Sequence, residues 1–276
     1  MVALAFFFGL LIGSFLNVCI SRWPDRLSVV SPRSRCPKCK GAIAWYDNVP
    51  LLSYVLLAAR CRSCKEPISW RYPTVEALNA SVYALLAYQH GLQPFTFKAA
   101  LFSSMMIILI FTDLEQLILP DEITLGGIPI GLGLALWVAV PLTVTRLIWL
   151  FRSDQPSEQL GSLAECLVAA VLFGGLLWAM REAYYRLRGV DGLGLGDVKM
   201  AAMMGAFWGV GQTLMILIIG SIAGAVIGTA LIAIRRANWR QELPYGSYLG
   251  AAALVVTLFG DHMLGAYWGL VLPTGQ

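Results

Sequence analysis

Two aspartates stand where a pair of carboxylates could carry out acid–base chemistry. Asp113 closes a long apolar stretch in the run FTDLE (111–115), and Asp197 opens another apolar stretch after the run GLGLG (192–196). When two carboxylates approach each other, their like charges prevent both from ionising, so one keeps its proton as an acid and the other acts as a base on water. The two then titrate as a pair. This is the chemistry of aspartic proteolysis by an activated water molecule.

The spacing alone leaves a simpler interpretation open, in which Asp113 and Asp197 only cap the ends of apolar helices. The glycines before Asp197 let the backbone approach another chain closely, so an extended peptide could pair with this segment. The same glycines do not form a dinucleotide site, because that fingerprint needs a preceding strand within a βαβ unit. Here an arginine-rich segment precedes them and an apolar stretch follows.

Four of the six cysteines form two C-x-x-C pairs with the spacing of metal ligands. Cys36 and Cys39 make the first pair, Cys61 and Cys64 make the second, and 21 residues separate the pairs. Two such pairs are typical of a structural zinc site with four thiolate ligands, which leaves no open position for catalysis. A redox-active dithiol pair and unligated thiols are the alternatives.

The elements that must position these residues are predicted to be membrane-spanning helices. Of the 276 residues, 58% are hydrophobic and 13% are charged, whereas a soluble domain has about 25% charged residues. This composition excludes a soluble globular enzyme, a disordered tail and a fibrous repeat. Since a span needs about 20 apolar residues, we expect an all-α polytopic membrane protein with about eight transmembrane helices, near residues 1–20, 73–91, 97–113, 123–140, 162–180, 198–211, 213–234 and 248–272.

Two segments need separate treatment. Residues 1–20 lack the basic start and the small-residue cleavage site of a signal peptide, so they are expected to remain as the first span. Residues 141–151 are apolar but interrupted by Arg146, which favours an interfacial segment.

The basic residues predict the orientation. Ten of the 20 Lys and Arg lie between residues 21 and 72, and alternating the spans places 17 of the 20 on that same side. Because basic loops remain in the cytoplasm, the cysteine loop is predicted to be cytosolic and both termini to be outside. Disulfides rarely persist in that compartment, which favours metal binding by the cysteines. The membrane context explains the charge, so no nucleic-acid partner is predicted.

Other polar residues within the predicted spans are candidates for ligand binding or structural pairing, because ionisable groups there are costly. Glu76, near the cytosolic end of its span, could contact a polar ligand or pair with an arginine. Glu165, near the outer boundary, is expected to extend its carboxylate towards the headgroups. Cys19 and Cys166 are expected to be small buried side chains. Small-residue spacing predicts helix-packing contacts at Gly220, Gly224 and Gly228.

Taken together, these motifs resemble the bacterial type IV prepilin peptidases, which are membrane aspartic proteases of the GxGD type. The resemblance covers nearly the whole chain. The runs that carry it are GSFLNV (13–18) with Arg22 and Pro24, WYDNVPLLSY (45–54), RYP (71–73) with Glu76, Asp113 with LPD (119–121), and GLGDVK (194–199). Jointly these motifs are specific to the family, although each one alone would be weak.

The resemblance implies a bifunctional membrane enzyme. Such enzymes cleave the short basic leader of prepilins and of the pseudopilins of secretion systems on the cytoplasmic side, and then methylate the new N-terminal amine with S-adenosylmethionine. The implied catalytic residues are Asp113 and Asp197. The implied ligands of a structural zinc ion are Cys36, Cys39, Cys61 and Cys64.

The resemblance also implies a division of the chain. Residues 1–90 would form the module associated with methylation, and residues 91–276 would form the peptidase domain. Within the first module, the candidates for binding the methyl donor are Glu76, Gly13 and Asn17. The implied setting is the bacterial inner membrane, crossed several times, with a prepilin or pseudopilin as substrate and membrane lipid around the protein; no oligomeric state is predicted.

Two further functions remain as alternatives. The first is a leader peptidase without methyltransferase activity, although the intact cysteine loop argues against it. The second is a solute or proton carrier that uses intramembrane acids as relays; such a carrier predicts acids near the middle of spans, whereas Asp113 and Asp197 fall at span ends.

The segment before the last span departs from the family pattern. Where the family commonly has a second proline, Pro244, Tyr245 and Gly246 are followed here by Ser247. Losing that proline frees one backbone N–H, and we expect a local change in the loop without loss of chemistry. Three acids near the aspartate motifs could attract a basic leader or be solvated loop acids: Glu115, Asp121 and Glu122.

Overall fold

The described part of the chain is built from α-helices. The computed structural model describes residues 1–149, 157–234 and 243–271. Within these ranges there is no β-strand, and the cysteine loop holds two isolated β-bridges and a 3₁₀ turn at Trp45–Asn48. The helices are α1 (Val2–Arg22), α2 (Leu52–Leu56), α3 (Arg71–His90), α4 (Pro94–Gln116), α5 (Asp121–Ala135), α6 (Val144–Trp149), α7 (Glu158–Arg188), α8 (Leu195–Ala233) and α9 (Tyr245–Val271).

The chain divides into two compact units, Met1–Thr112 and Asp113–Gln276, and the boundary falls inside α4. In the first unit, α1 packs along α3. Glycines allow the two helix backbones to approach closely, because a Cβ added at Gly9 would lie 2.7 Å from the Cα of Ala80.

A buried polar network ties α1, α3 and α4 together within the first unit. The Asn79 side chain donates to the carbonyl of Gly9 (2.7 Å) and accepts from the Ser104 hydroxyl (2.9 Å). The Tyr83 hydroxyl lies 3.0 Å from the same serine oxygen. Because each buried polar group has a partner, the network joins the three helices instead of destabilising them.

In the second unit α8 packs against α5, α7 and α9. A Cβ at Gly205 would lie 2.6 Å from the backbone of Ala169 on α7. Along the rest of α8, a Cβ at Gly220 would lie 2.8 Å from Leu249, and Gly224 and Gly228 meet side chains of the segment 243–248 in the same way. The prediction of helix-packing contacts is confirmed for Gly220 and Gly224, which meet α9, whereas Gly228 meets Leu243 just before that helix.

A break at Gly209 divides α8 into two parts. The backbone of Gly209 has φ 72° and ψ −170°, a conformation that glycine adopts without the steric cost of a side chain. The two parts correspond to the two adjacent spans predicted at 198–211 and 213–234.

The prediction of an all-α polytopic membrane protein is confirmed. Among the described residues, four helices are long and apolar enough to cross a membrane, namely α1, α4, α7 and α8, and Tyr245–Gly260 is a shorter apolar helix. With α8 counted as two parts, helices occupy all eight predicted positions. The total of about eight crossings stays a prediction.

The fourth predicted span is shorter than expected, because α5 ends at Ala135 and not near residue 140. The backbone beyond it bonds to side chains of α7 instead of continuing the helix: the N–H of Val140 donates to the Ser162 hydroxyl at 3.0 Å.

Some predicted features lie outside the described residues. Four arginines that contribute to the orientation prediction are among them: Arg152, Arg235, Arg236 and Arg240. The predicted interfacial segment 141–151 is described only as far as residue 149, where α6 is found.

Candidate active site and metal centre

Asp197 is the third residue of α8 and lies in the first helical turn. The N-cap residue Gly194 has an extended backbone (φ −67°, ψ 141°), and its N–H donates to the Asp197 carboxylate. An acid that bonds back to the N–H of the N-cap is one half of a capping box. The capping interpretation of Asp197 therefore has structural support, and it places the carboxylate at a helix N-terminus.

Asp113, near the end of α4, is held by the start of α9. The backbone N–H of Ser247 donates to Asp113 Oδ2 at 2.6 Å, and the Ser247 hydroxyl donates to the same oxygen at 2.9 Å. A proline at position 247 could make neither bond. The expectation of only a local loop change was therefore incomplete, because the residue that departs from the family pattern binds a candidate catalytic carboxylate.

The structure brings the two aspartates together. Their carboxylates interact electrostatically, and the residues are 6% and 8% exposed. Leu119 packs beside them, since a Cβ at Gly196 would lie 2.9 Å from the Leu119 side chain and a Cβ at Gly246 would lie 3.0 Å from it. A Cβ at Gly246 would also lie 3.2 Å from Asp113 Oδ2. Glycines thus leave space for the aspartates and Leu119.

Two opposing influences act on the charges of the pair. A helix N-terminus favours a negative charge on Asp197 by about 0.3–1 kcal/mol, and the Gly194 N–H adds one donor. Asp113 accepts two donors from Ser247, and a hydrogen bond to a charged group contributes about 1.5–3 kcal/mol. The second hydrogen bond to Asp113 stabilises a negative charge more than the helix N-terminus does at Asp197. The arrangement therefore favours the charge on Asp113.

Other polar groups surround this end of the second unit. Asp121 pairs with Lys199 at 2.6 Å, which reduces its availability to a basic peptide. Glu115 and Glu122 are exposed. The Tyr245 hydroxyl, which interacts electrostatically with Asp197, is hydrogen-bonded to Ser221 at 2.9 Å.

The four predicted metal ligands form one cluster. The Sγ atoms of Cys36, Cys39, Cys61 and Cys64 all lie within 4.8 Å of one another, and those of Cys36 and Cys64 are 3.8 Å apart. A tetrahedral site with Zn–S bonds of about 2.3 Å has sulfur–sulfur edges of about 3.8 Å. The cluster therefore fits a metal ion of the size and softness of zinc.

The two cysteine pairs are structural copies of each other. The runs SRCPKCKGAI (34–43) and ARCRSCKEPI (59–68) align with an offset of 25 residues. In each, the first cysteine accepts from the N–H of the lysine four residues on, and that lysine has a left-handed backbone, with φ 56° at Lys40 and φ 60° at Lys65. The spacing of the cysteines alone did not reveal this repeat, but an alignment of the two runs reveals it.

Contacts made by the second copy favour a fixed geometry and ionised thiols. Arg62 makes two bonds to Asp47, from Nε at 2.7 Å and from a terminal nitrogen at 2.6 Å, and these bonds hold the pKa of Asp47 below its usual value. The backbone N–H groups of Cys64 and Ser63 point at the Cys61 sulfur and lower the pKa of that thiol to about 7. A thiol that ionises near neutral pH is suited to metal binding.

Gly13, Asn17 and Glu76, the candidates associated with methylation, meet at the contact between α1 and α3. A Cβ at Gly13 would lie 2.8 Å from Glu76 Cα. The Glu76 carboxylate accepts from the Ser14 hydroxyl and, at 2.8 Å, from the N–H of Leu51. Glu76 therefore binds a loop and a neighbouring hydroxyl; the expected alternative, a pair with an arginine, is not seen among the described contacts of this residue.

Asn17 carries a buried acceptor without a donor. Its amide nitrogen donates to the carbonyls of Tyr72 (3.0 Å) and Gly13 (3.4 Å), which fixes the orientation of the amide. Its Oδ1 is buried and has no hydrogen-bond partner among the described residues. An unpaired buried acceptor costs about 1–3 kcal/mol, and a bound amine or ammonium would remove that cost.

The expectation that Glu165 extends to the headgroups is wrong. The residue is fully buried, and its carboxylate accepts bonds from the hydroxyls of Thr143 and Thr145 and from the N–H groups of Thr145 (2.9 Å) and Val144 (3.3 Å). A Cβ at Gly209 would lie 3.0 Å from Glu165 Cγ. The carboxylate therefore holds the first turn of α6, and Thr143 just before it, beside the break in α8. Cys19 and Cys166, in contrast, are buried as predicted.

The helical membrane architecture, the buried aspartate pair and the cysteine cluster define the class of the protein: a polytopic membrane aspartic peptidase. Two family models match the chain, the bacterial peptidase A24 N-terminal domain over residues 7–90 and the type IV leader peptidase family over residues 100–229. The chain belongs to the type IV leader peptidase family.

Curated relatives agree with this membership. A protein of Aeromonas salmonicida named prepilin leader peptidase/N-methyltransferase is 32% identical over 98% of this chain and 94% of its own length. Proteins with the same name from Myxococcus xanthus and Bacillus subtilis are 39% identical over 86% of this chain (65% of the relative) and 29% identical over 99% of it (all of the relative). No solved structure matches the chain.

Proposed function

We propose that the protein cleaves the basic leader of prepilins or pseudopilins by means of Asp113 and Asp197, and methylates the N-terminus that cleavage exposes. The observation that carries the proposal is the buried carboxylate pair, in which both members interact electrostatically and both accept hydrogen bonds. The name that these relatives share, prepilin leader peptidase/N-methyltransferase, supports both activities.

In the proposed reaction, one carboxylate takes a proton from water while the water oxygen bonds to the scissile carbonyl carbon. The other carboxylic acid gives its proton to the carbonyl oxygen, which yields a gem-diol. The carbon–nitrogen bond then breaks, the nitrogen receives the first carboxyl proton, and one diol hydroxyl returns a proton to the second carboxylate. Both aspartates end in their starting states, and one water has been consumed.

The substrate class suits the surroundings of the pair. A prepilin has a basic leader ahead of an apolar helix, so its scissile bond is expected at the membrane surface. Glu115 and Glu122 are exposed near the ends of α4 and α5, where they can attract the Lys and Arg of the leader.

The test is cleavage of a purified prepilin by the full chain in detergent or vesicles. Asp113→Asn and Asp197→Asn each remove an essential proton carrier, so leader release is expected to fall by about 10⁴-fold or more. Thr257→Val is the matched control, because its hydroxyl has no hydrogen-bond partner in the described part of the chain. Cleavage by both asparagine variants at the rate of the unaltered chain would contradict the proposal.

Methylation is assigned to residues of the first unit. Glu76, Asn17 and Gly13 meet between α1 and α3, and the unpaired Asn17 Oδ1 fits an amine or ammonium donor. S-adenosylmethionine would supply an electrophilic methyl group there. Both that compound and the new N-terminus carry an amino group, which the Glu76 carboxylate and Asn17 Oδ1 would bind and orient.

The cysteine cluster is assigned a structural zinc ion. Four thiolates complete a tetrahedron, so no position is left for substrate. Their role would be to connect the two copies of the cysteine pair and thereby order the loop between α1 and α3.

The setting of the protein follows from the family and the helices. The chain is a multi-pass inner-membrane protein. We further assign both termini to the outside, the cysteine loop to the cytosol, membrane lipid as its surroundings, residues 1–90 to methylation and residues 91–276 to proteolysis.

A further inference from the structure

Ser247 places two donors on a single oxygen of one member of the aspartate pair. Its N–H and its hydroxyl both reach Asp113 Oδ2, at 2.6 and 2.9 Å. Ser247 is itself 5% exposed, so water competes little for these bonds. Donors directed at a carboxylate stabilise its ionised form over its protonated form.

Asp197 is held differently. It accepts a hydrogen bond from the N–H of Gly194 at the start of α8. Its own negative charge is repelled by the negative charge favoured on Asp113. Because two like charges in a buried site cannot both be maintained, the proton of the pair goes to the carboxylate with fewer donors.

We infer that Ser247 is a positioning residue that makes Asp113 the ionised base of the pair and leaves Asp197 protonated as the acid. The inference rests on the proposed peptidase function and extends it, because it assigns a direction to proton transfer. Asp113 takes the proton of the attacking water, and Asp197 gives its proton to the scissile carbonyl oxygen. On collapse Asp113 passes its proton to the leaving nitrogen, and Asp197 recovers one from the gem-diol.

Other titratable groups on the elements that meet here do not reproduce this effect. Near this end of the helices they are Glu115 on α4, Asp121 and Glu122 on α5, Asp197 and Lys199 on α8, and Tyr245 and Tyr248 on α9. The Tyr248 ring packs against Gly224 on α8. Lys199 is bound to Asp121, and the Tyr245 hydroxyl is bound to Ser221. Ser247 is the residue with two described donors to Asp113.

Three substitutions at one position separate the two donors. Ser247→Thr keeps both, Ser247→Ala keeps only the N–H, and Ser247→Pro removes both while remaining compatible with the first turn of a helix. The experiment measures kcat and KM for prepilin cleavage by each full-length variant across the acid and alkaline limbs of the pH profile, with melting temperature as the folding control and Thr257→Val as the control on the same helix.

The acid limb of kcat is expected to move to higher pH as donors are lost, by about one pH unit in Ser247→Pro and by less in Ser247→Ala. Ser247→Thr is expected to restore the original limb, and KM is expected to stay within about twofold, because Ser247 acts through Asp113. Ser247→Ala alone still tests the inference if the proline variant does not fold.

Two results would overturn the inference. Movement of the alkaline limb alone would make Asp113 the acid, and a uniform fall in kcat with both limbs unmoved would leave Ser247 only a packing role. These results require a chain that cleaves prepilin; if the unaltered protein does not, the proposed function fails first, and the two failures are thereby distinguished.

Discussion

Three buried carboxylates of this chain accept hydrogen bonds from backbone N–H groups of other segments. Asp113 binds Ser247, Glu76 binds Leu51, and Glu165 binds the backbone of Val144 and Thr145. A buried charge is tolerated only when such donors replace lost water. Each carboxylate therefore also fixes the path of a segment distant in sequence.

Glu165 gives a stability prediction. In Glu165→Gln one carboxylate oxygen becomes an NH₂ group, so either the Thr143 hydroxyl and the Val144 N–H or the hydroxyl and N–H of Thr145 lose their acceptor. The free energy of unfolding is expected to fall by about 1–3 kcal/mol, measured by denaturant unfolding in detergent.

The control for this change is Glu158→Gln, at the exposed first turn of the same helix, which is expected to alter the free energy of unfolding by less than about 1 kcal/mol. Equal stability of Glu165→Gln and the unaltered chain would show that the four bonds do not hold the start of α6.

The sequence was enough to identify the candidate carboxylates but not all of their hydrogen-bond partners. Asp113 and Asp197 stood out because acids at the ends of apolar stretches are few. Ser247 is 134 residues from Asp113, and no local pattern links the two. Glu165 was misjudged because its distance from a predicted membrane boundary says nothing about which side of the helix is covered by α6 and α8.

The cysteine loop is an element that metal is expected to hold together. The purified protein should contain about one zinc ion per chain, and Cys39→Ser or Cys64→Ser should reduce the bound zinc by at least tenfold, because three ligands leave the tetrahedron incomplete. Metal analysis of protein purified without chelator measures this directly.

Cys19→Ala is the matched control, since Cys19 is a buried free thiol in α1 outside the cluster; its zinc content should equal that of the unaltered chain. A chain that holds no zinc while all four cysteines are reduced would contradict the assignment of a structural zinc site. The redox-active dithiol pair would then be the remaining interpretation.

The helices themselves were largely predictable, because apolar length is a strong signal. The break in α8 at Gly209 falls beside the boundary predicted between the spans 198–211 and 213–234. The early end of α5 is the exception: beyond it the N–H of Val140 bonds to Ser162 on α7, and the apolar sequence 136–140 gives no sign of that contact.

The division into two units leads to a prediction about the two activities. Glu76→Gln keeps an oxygen to accept the Leu51 N–H but removes the charge that would bind an amine. Methyl transfer from labelled S-adenosylmethionine to an already cleaved pilin is expected to fall by about tenfold or more, while leader cleavage stays unchanged.

Asp113→Asn supplies the reciprocal control, because it should lose cleavage and still methylate the pre-cleaved pilin. Methylation by Glu76→Gln at the original rate would move the methyl-donor site elsewhere. If the unaltered chain transfers no methyl group, the protein is a leader peptidase alone.

The four cysteines of the cluster differ in their exposure to solvent. Cys36 is buried and Cys61 is half-buried, whereas Cys39 and Cys64, the second cysteine of each copy, are exposed. An oxidant, an alkylating reagent or a chelator competing for a bound ion would therefore meet the second cysteine of both copies first. The repeat in the sequence therefore determines which cysteines of the loop react first.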